Sequence, residues 1–179
     1  LRALVMAIEN LSPDSPAVDV LVNGNVVFKD VAFKKMSPYV EMPNGKYDLQ
    51  FIDAGGRKDH VITDYRIKAK GGRYYTVVLF GYFKNKDVHA VELKDDPEVS
   101  TLDAKLRIVH LSSDMPSIDV YDGTGGRLFK GVDHKKPTDS INLIPDEYSF
   151  VIREKGKSDD DKVLKTDVKL EAGKNYTLF

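Results

Sequence analysis

The sequence contains no cysteine and no tryptophan, and it has no long apolar run. Without cysteine, the chain cannot form disulfides, thiolate zinc sites or a cysteine nucleophile. A membrane-spanning helix needs about 20 predominantly apolar residues, and no segment approaches that length. The first residue is Leu1 rather than methionine, which fits removal of a secretory leader and equally a trimmed chain.

The charge of the chain is nearly balanced. Lys and Arg total 27 and Asp and Glu total 28, so the formal net charge is -1. The basic residues are scattered, and this balance offers no field that would attract nucleic acid or an anionic membrane. We therefore expect no nucleic-acid partner. The longest acidic run, at 159–161, is interpreted as a solvated hairpin tip.

One short stretch occurs twice. LSPDSPAVDVLV at residues 11–22 is followed one hundred residues later by LSSDMPSIDVYD at 111–122. With one more residue of offset, KAKGGRYYTVV at 68–78 matches KLEAGKNYTLF at 169–179. A period of this length suits a whole small domain rather than a solenoid repeat.

The repeat predicts two domains, residues 1–98 and 99–179, joined near 95–103. The first repeat continues past YYTVV through LFGYFKNKDVHAVEL, whereas the second stops at YTLF. We therefore expect the second domain to lack its last strand or to borrow an edge from elsewhere.

Each repeat has the pattern of β-strands. In YDLQFID, Tyr47, Leu49 and Phe51 alternate with polar residues, which is typical of a half-buried strand. Asn23-Gly24 and similar turn signals separate the strands. No segment shows a sustained helical period. The prediction is an all-β protein of two tandem β-sandwich units, of Greek-key, immunoglobulin-like or transthyretin-like type.

The repeated motif has four matching positions in each unit. They are Ser12, Asp14, Pro16 and Asp19, and Ser112, Asp114, Pro116 and Asp119. The Ser and Asp side chains are expected to close local turns, and the prolines favour an extended start to the next strand. The last Asp lies in mid-strand, where Asp is depleted, so it needs a partner such as a backbone N–H pair, a Tyr, an Arg or an ion.

We interpret this motif as structural, because a fold needs it twice and catalysis seldom does. The alternative is an ion or ligand site of calcium type. Calcium takes six to eight oxygens, and the motif supplies only two carboxylates per unit, so we predict neither a metal nor a cofactor.

Two tyrosines follow glycine turns at equivalent positions, Tyr75 and Tyr176. This arrangement is typical of a tyrosine corner, in which the hydroxyl bonds to upstream backbone. We expect both residues to anchor the core.

The residues HLSSDMPSIDVYDG, together with AGKNYT, resemble the bacterial DUF4397 domain. The first unit matches from Asn10 to Tyr75, with Asn10 in place of the family's histidine, and the second matches from His110 to Thr177. The resemblance implies a β-sandwich, often in tandem, in an exported or surface-attached protein, for a family with no established activity. The implied location is extracytoplasmic: secreted, periplasmic or attached to the cell surface.

No catalytic residue is predicted. The histidines His60, His89, His110 and His134 lack the spacing of a zinc site, and no nucleophile elbow or phosphate-binding loop is present. HLSSD at 110–114 is interpreted as a turn, since a catalytic triad is assembled across loops rather than from sequence neighbours.

The strand YYTVVLFGYF at 74–83 is apolar on both faces. Burial on both sides is the simplest interpretation. Alternatively, Tyr74 and Tyr82 form a tentative binding surface that stacks on sugar rings or on a protein. The absence of tryptophan weakens the carbohydrate alternative.

These observations predict a non-catalytic module of an exported bacterial cell-surface protein, acting in adhesion, envelope structure or binding. The expected partner is a protein or glycan of the cell envelope. The alternatives are an extracytoplasmic hydrolase that uses loop carboxylates, and a periplasmic regulatory or assembly partner.

Overall fold

A computed structural model describes residues 3–98, 100–157 and 164–179 of the chain. The chain divides into two compact units, Leu1–Pro97 and Glu98–Phe179. Strands and turns account for the regular structure of the described residues, and no helix there could cross a membrane. The predicted fold class, two tandem all-β sandwich units, is confirmed. The acidic run at 159–161 lies outside the described residues.

The described residues of the first unit form nine strands. They are β1 (Leu4–Asn10), β2 (Val18–Val22), β3 (Asn25–Val31), β4 (Lys35–Met36), β5 (Val40–Met42), β6 (Gly45–Asp53), β7 (Val61–Ala69), β8 (Tyr74–Tyr82) and β9 (Asp87–Asp95).

Two sheets make up this unit. One has the order β4-β1-β8-β9, with β5 also paired to β1, and the other has the order β3-β2-β6-β7. Strands β1 and β8 are parallel, and every other pair in the unit is antiparallel. The parallel pair joins the first strand of the unit to a strand that starts about seventy residues later. The first sheet therefore depends on pairing between segments that are far apart in the sequence.

The core of the first unit lies between these sheets. Met6, Ile8 and Val77 face Val20 and Phe51, and all five side chains are fully buried. Period-2 alternation along each strand puts these residues on the inner faces. Burying them supplies the main driving force for the fold, at about 25 cal/mol per Å² of apolar surface.

Strand β8 is buried on both faces, as the apolar pattern predicted. Val77 and Leu79 belong to the core between the sheets. Val78 and Phe80, on the opposite face, are also buried.

The second unit contains seven strands in the described residues. They are β10 (Ala104–Ile108), β11 (Ile118–Tyr121), β12 (Arg127–Val132), β13 (Ile141–Leu143), β14 (Glu147–Glu154), β15 (Leu164–Lys169) and β16 (Asn175–Leu178). The sheet orders are β13-β10-β16 and β12-β11-β14-β15, and β10 and β16 are parallel. This arrangement repeats the first unit with two differences: an isolated bridge between Val109 and Pro137 stands in place of β4, and no counterpart of β9 is described.

The tyrosine corner is confirmed in both units. The Tyr75 hydroxyl accepts a hydrogen bond of 3.1 Å from the backbone N–H of Lys70. In the second unit, the Tyr176 hydroxyl accepts one of 3.0 Å from the N–H of Glu171. Each bond ties the start of a strand to the turn before it, which explains why both Tyr residues follow a glycine turn.

Candidate functional site

Ser12 and Asp14 of the repeated motif hold the turn between β8 and β9. The Ser12 hydroxyl, which is fully buried, donates a hydrogen bond of 2.8 Å to the Gly81 carbonyl. The Asp14 carboxylate accepts two bonds, of 2.7 Å from the N–H of Phe83 and 3.0 Å from that of Lys84. We call these three hydrogen bonds the turn clamp.

The turn clamp corrects the expectation that Ser12 and Asp14 close local turns. Their partners in the clamp lie 69 and 70 residues away. The local turn is made by Asn10 instead, whose side-chain oxygen accepts a hydrogen bond of 3.0 Å from the N–H of Ser12. Because Asn10 makes the local turn, the side chains of Ser12 and Asp14 can bond to the β8–β9 turn.

The clamped turn forms one wall of a cleft at the same end of the first unit. The cleft has a volume of about 470 Å³, within the usual range for small-ligand sites. Its apolar lining consists of Val61, Ile62, Phe83 and Val88. Its polar lining consists of Asp53, His60, Lys84 and Lys86, all four of which are exposed. The cleft thus combines a half-buried aromatic ring with side chains that donate and accept hydrogen bonds.

The pKa of the Asp14 carboxyl is held below its ordinary value of 3.8, first by the N–H of Lys84 and then by that of Phe83. A carboxyl with a lower pKa in the folded state stabilises the fold above its ordinary pKa, and this contribution is lost as the pH falls through the lowered value.

Asp14→Asn is therefore expected to destabilise the first unit at about pH 7, and the difference from wild type should shrink towards about pH 2. Urea unfolding at both pH values measures this. Asp114→Asn, at the exposed equivalent position, is the matched control and should have no such effect. A pH-independent difference for Asp14→Asn would contradict the turn clamp.

Asp19 joins two left-handed backbone positions. Its carboxylate accepts hydrogen bonds of 2.8 Å from the N–H of Asp30 and 2.9 Å from that of Gly55. Asp30 has φ 53° and Gly55 has φ 68°. The register between β2 and β3 shifts in this region, so Asp19 stabilises an irregularity in the sheet.

Asp119 has a related role in the second unit. Its carboxylate accepts a hydrogen bond of 2.6 Å from the N–H of Gly131, which has φ 62°. Arg127 lies 3.8 Å away and forms an ion pair with it. Of the partner types that the sequence left open, Asp19 has a backbone N–H pair, and Asp119 has a backbone N–H, Arg127 and the Tyr121 hydroxyl, which donates to it at 3.5 Å.

Asn10 and His110 perform the same task with different chemistry. The Asn10 amide donates to the Pro16 carbonyl at 3.4 Å, and Nε2 of His110 donates to the Pro116 carbonyl at 3.0 Å. Both side chains are buried. Both side chains thus supply a hydrogen-bond donor to the carbonyl of the motif proline, and asparagine can take the place of the motif histidine at this contact.

Tyr74 and Tyr82 do not lie together. They are on the same face of β8, but eight residues of strand separate them by about 26 Å. Tyr74 is half-buried and packs edge-on against Tyr39 with ring centroids 6.0 Å apart, whereas Tyr82 is 46% exposed. One sugar ring cannot contact both.

Within the described ranges, no group of three or more His, Asp or Glu residues is arranged to hold a metal ion. The two carboxylates of the first motif, Asp14 and Asp19, each accept hydrogen bonds from backbone N–H groups.

The cleft residues were missed by the sequence analysis. They come from the end of β6, the start of β7 and the β8–β9 hairpin, and no spacing along the chain connects these segments. Phe83 is the last residue of the apolar segment 74–83, which was interpreted only as a strand. A turn of charged residues after an apolar strand, FKNKD at 83–87, was the one local signal that could have drawn attention to it.

The fold and the site define a tandem of β-sandwich units, the first with its cleft-forming hairpin clamped by a repeated motif. The chain belongs to the family described as "Domain of unknown function (DUF4397)", which matches residues 6–121 and 104–179. The predicted family is thus confirmed.

Several solved structures are similar to this chain at low scores. The Bacillus anthracis TIE protein matches with a TM-score of 0.30 and 14% identity, over 99% of this chain and 33% of that protein. A structure titled for alpha-glucan recognition by family 41 carbohydrate-binding modules from streptococcal virulence factors matches with a TM-score of 0.30 and 16% identity, over 99% and 94%. Scores of this size transfer neither fold nor function. No curated protein matches the chain.

Proposed function

We propose that the chain is a non-catalytic binding module of an exported cell-surface protein, and that the cleft of the first unit binds a glycan of the cell envelope. The observation that carries this proposal is the composition of the cleft. A phenyl ring, Phe83, stands beside charged and polar side chains on a turn that the buried Ser12 holds in place.

This composition suits a sugar because a pyranose has an apolar face and a rim of hydroxyls. An aromatic ring can stack on the apolar face, while Asp53, His60 and the two lysines can bond to the hydroxyls. The clamp also fixes the turn before the ligand arrives, so less entropy is lost on binding.

The hydrolase alternative has less support. Glycoside hydrolysis usually uses two carboxylates on either side of the scissile bond. Among the residues that line the cleft, Asp53 is the single carboxylate. The proposal includes an extracytoplasmic location, which the resemblance of the motif to its family implies. Fractionation of the native host cells tests this location.

Binding can be tested by titration calorimetry of the whole chain with cello-, chito- and malto-oligosaccharides. For a saccharide that binds, Phe83→Ala should weaken the affinity about tenfold through loss of stacking. Tyr82→Ala is the matched control, because this exposed ring is next in sequence and lies outside the cleft lining. Loss of binding in Tyr82→Ala with no change in Phe83→Ala would show that the binding site is on the outer face of β8 and not in the cleft. No binding by any saccharide would contradict the glycan proposal.

A further inference from the structure

The charged side chains of the cleft are unequal in number. Lys84 and Lys86 each contribute an ammonium group, whereas Asp53 is the single carboxylate among the lining residues. With His60 neutral, the lining therefore has a net positive charge, although the chain as a whole has a formal net charge of -1. The cleft thus differs in sign from the molecule as a whole, and it attracts an anionic ligand more than a neutral one.

Neither ammonium group is neutralised by an ion pair within the described part of the chain. The ion pairs of the first unit involve other residues. Asp14 does not line the cleft, and its carboxylate binds the backbone N–H groups of Phe83 and Lys84 rather than an ammonium group. Because Lys84 and Lys86 are both exposed, their charges are available to a ligand.

The turn that carries the two lysines is held in shape from two sides. The N–H of Lys86 donates a hydrogen bond of 2.9 Å to the Phe83 carbonyl and closes the turn. The turn clamp binds the N–H groups of Phe83 and Lys84. The backbone positions of both lysines are therefore fixed relative to that of Phe83, and only their side chains have to be ordered when a ligand binds.

The two signs of charge come from different walls of the cleft. Asp53 is the last residue of β6, whereas both lysines lie on the β8–β9 turn. A carboxylate accepts hydrogen bonds from sugar hydroxyls, and an ammonium group attracts an anionic substituent. A sugar with an anionic substituent would therefore be oriented with that substituent towards the turn. A neutral sugar would cover two ammonium groups without a compensating charge.

We propose that the cleft selects an acidic saccharide, whose sugar ring stacks on Phe83 and whose anionic substituent lies beside Lys84 and Lys86. This inference rests on the proposed glycan-binding function and narrows its ligand class. An ammonium group is a compact charge without the fixed planar donor geometry of a guanidinium group. A carboxylate, as in a uronic acid, and a sulfate ester both satisfy it, and the shared chemistry is a negative charge on a pyranose ring.

Two matched pairs of ligands test this selectivity by titration calorimetry of the whole chain. One pair is an oligogalacturonide and its methyl ester, and the other is a sulfated galactan oligosaccharide and its desulfated form. The members of each pair share their sugar rings and differ in charge. We expect the acidic member of at least one pair to bind about tenfold more tightly in about 0.01 M salt, and this difference to shrink in about 1 M salt.

Substitutions of single lysines test where the charge is recognised. Lys84→Gln and Lys86→Gln should each weaken binding of the acidic member about three- to fivefold and leave the neutral member unchanged. Lys68→Gln is the matched control, because Lys68 is also exposed but lies about 23 Å along β7 from Val61. This variant should bind both members as the wild type does. Phe83→Ala should weaken both members alike, since stacking does not depend on the charge.

The outcomes separate this inference from the proposed function. Equal affinity for the acidic and neutral members of both pairs would overturn the acidic ligand and leave glycan binding in place. Equal weakening of both members by the two lysine substitutions would also overturn it, because the lysines would then bind hydroxyls. An equal effect of Lys68→Gln would show attraction by the overall field rather than by the cleft. No binding of any of the four ligands would contradict glycan binding itself.

Discussion

Gly81→Ala is expected to destabilise the first unit by about 3–5 kcal/mol. Gly81 has a φ of 96°, which residues other than glycine adopt only with strain. A Cβ at this position would also lie 2.1 Å from the carbonyl oxygen of Asp87. The added Cβ and the Asp87 oxygen are both fixed by the hairpin backbone, so the β8–β9 pairing must open to relieve the contact. Urea unfolding followed by circular dichroism measures the loss.

Gly24→Ala is the matched control for this substitution. Gly24 has a similar φ of 82°, but a Cβ there meets nothing within 4 Å. Only the conformational cost remains, about 1 kcal/mol. Equal losses in the two variants would show that the hairpin adjusts and that the close approach at Gly81 has no consequence. The Gly81 variant should also lose any ligand bound in the cleft, because Phe83 and Lys84 move with the turn.

Asp19→Ala is expected to cost about 3 kcal/mol of unfolding free energy. The nearly buried carboxylate accepts hydrogen bonds from Asp30 and Gly55, and its removal leaves two backbone N–H groups without their partner. Asp19→Asn, which keeps one acceptor oxygen, should fall between wild type and alanine. Hydrogen exchange of the two amides locates the effect.

Asp48→Ala gives the comparison, since Asp48 is also a strand aspartate but its exposed side chain pairs with Arg66 at the surface. Surface ion pairs contribute little, so this variant should stay within about 0.5 kcal/mol of wild type. A loss in Asp19→Ala no larger than that of Asp48→Ala would contradict the role of Asp19 in the sheet irregularity.

Local patterns account for what the sequence predicted correctly. Alternation in the segment Tyr47–Phe51, the Asn23-Gly24 turn and the equivalent tyrosines Tyr75 and Tyr176 each depend on residues close in the chain. The all-β sandwich and the tyrosine corners follow from them. The repeat added the tandem organisation, because chance matches between two random segments are few.

The clamp and the cleft could not be predicted in the same way. The partners of Ser12 and Asp14 are backbone groups 69 and 70 residues away, and every residue type offers the same carbonyl and nearly every one the same N–H. No side-chain pattern marks them. One missed feature did leave a signal: Asp30 aligns with Gly131 at the later offset, and a glycine at an equivalent position indicates a left-handed backbone.

The parallel pairing of β1 and β8 determines how tension would travel through the first unit. Val5 pairs with Tyr74 and Tyr74 with Asp95, so the polypeptide enters and leaves the unit at one end. The cleft is at the opposite end, about nine residues of strand away. A pull between a molecule held on the β8–β9 turn and the exit at Asp95 would run along the covalent backbone of β9. The hydrogen-bonded ladders beside it would carry little of that force.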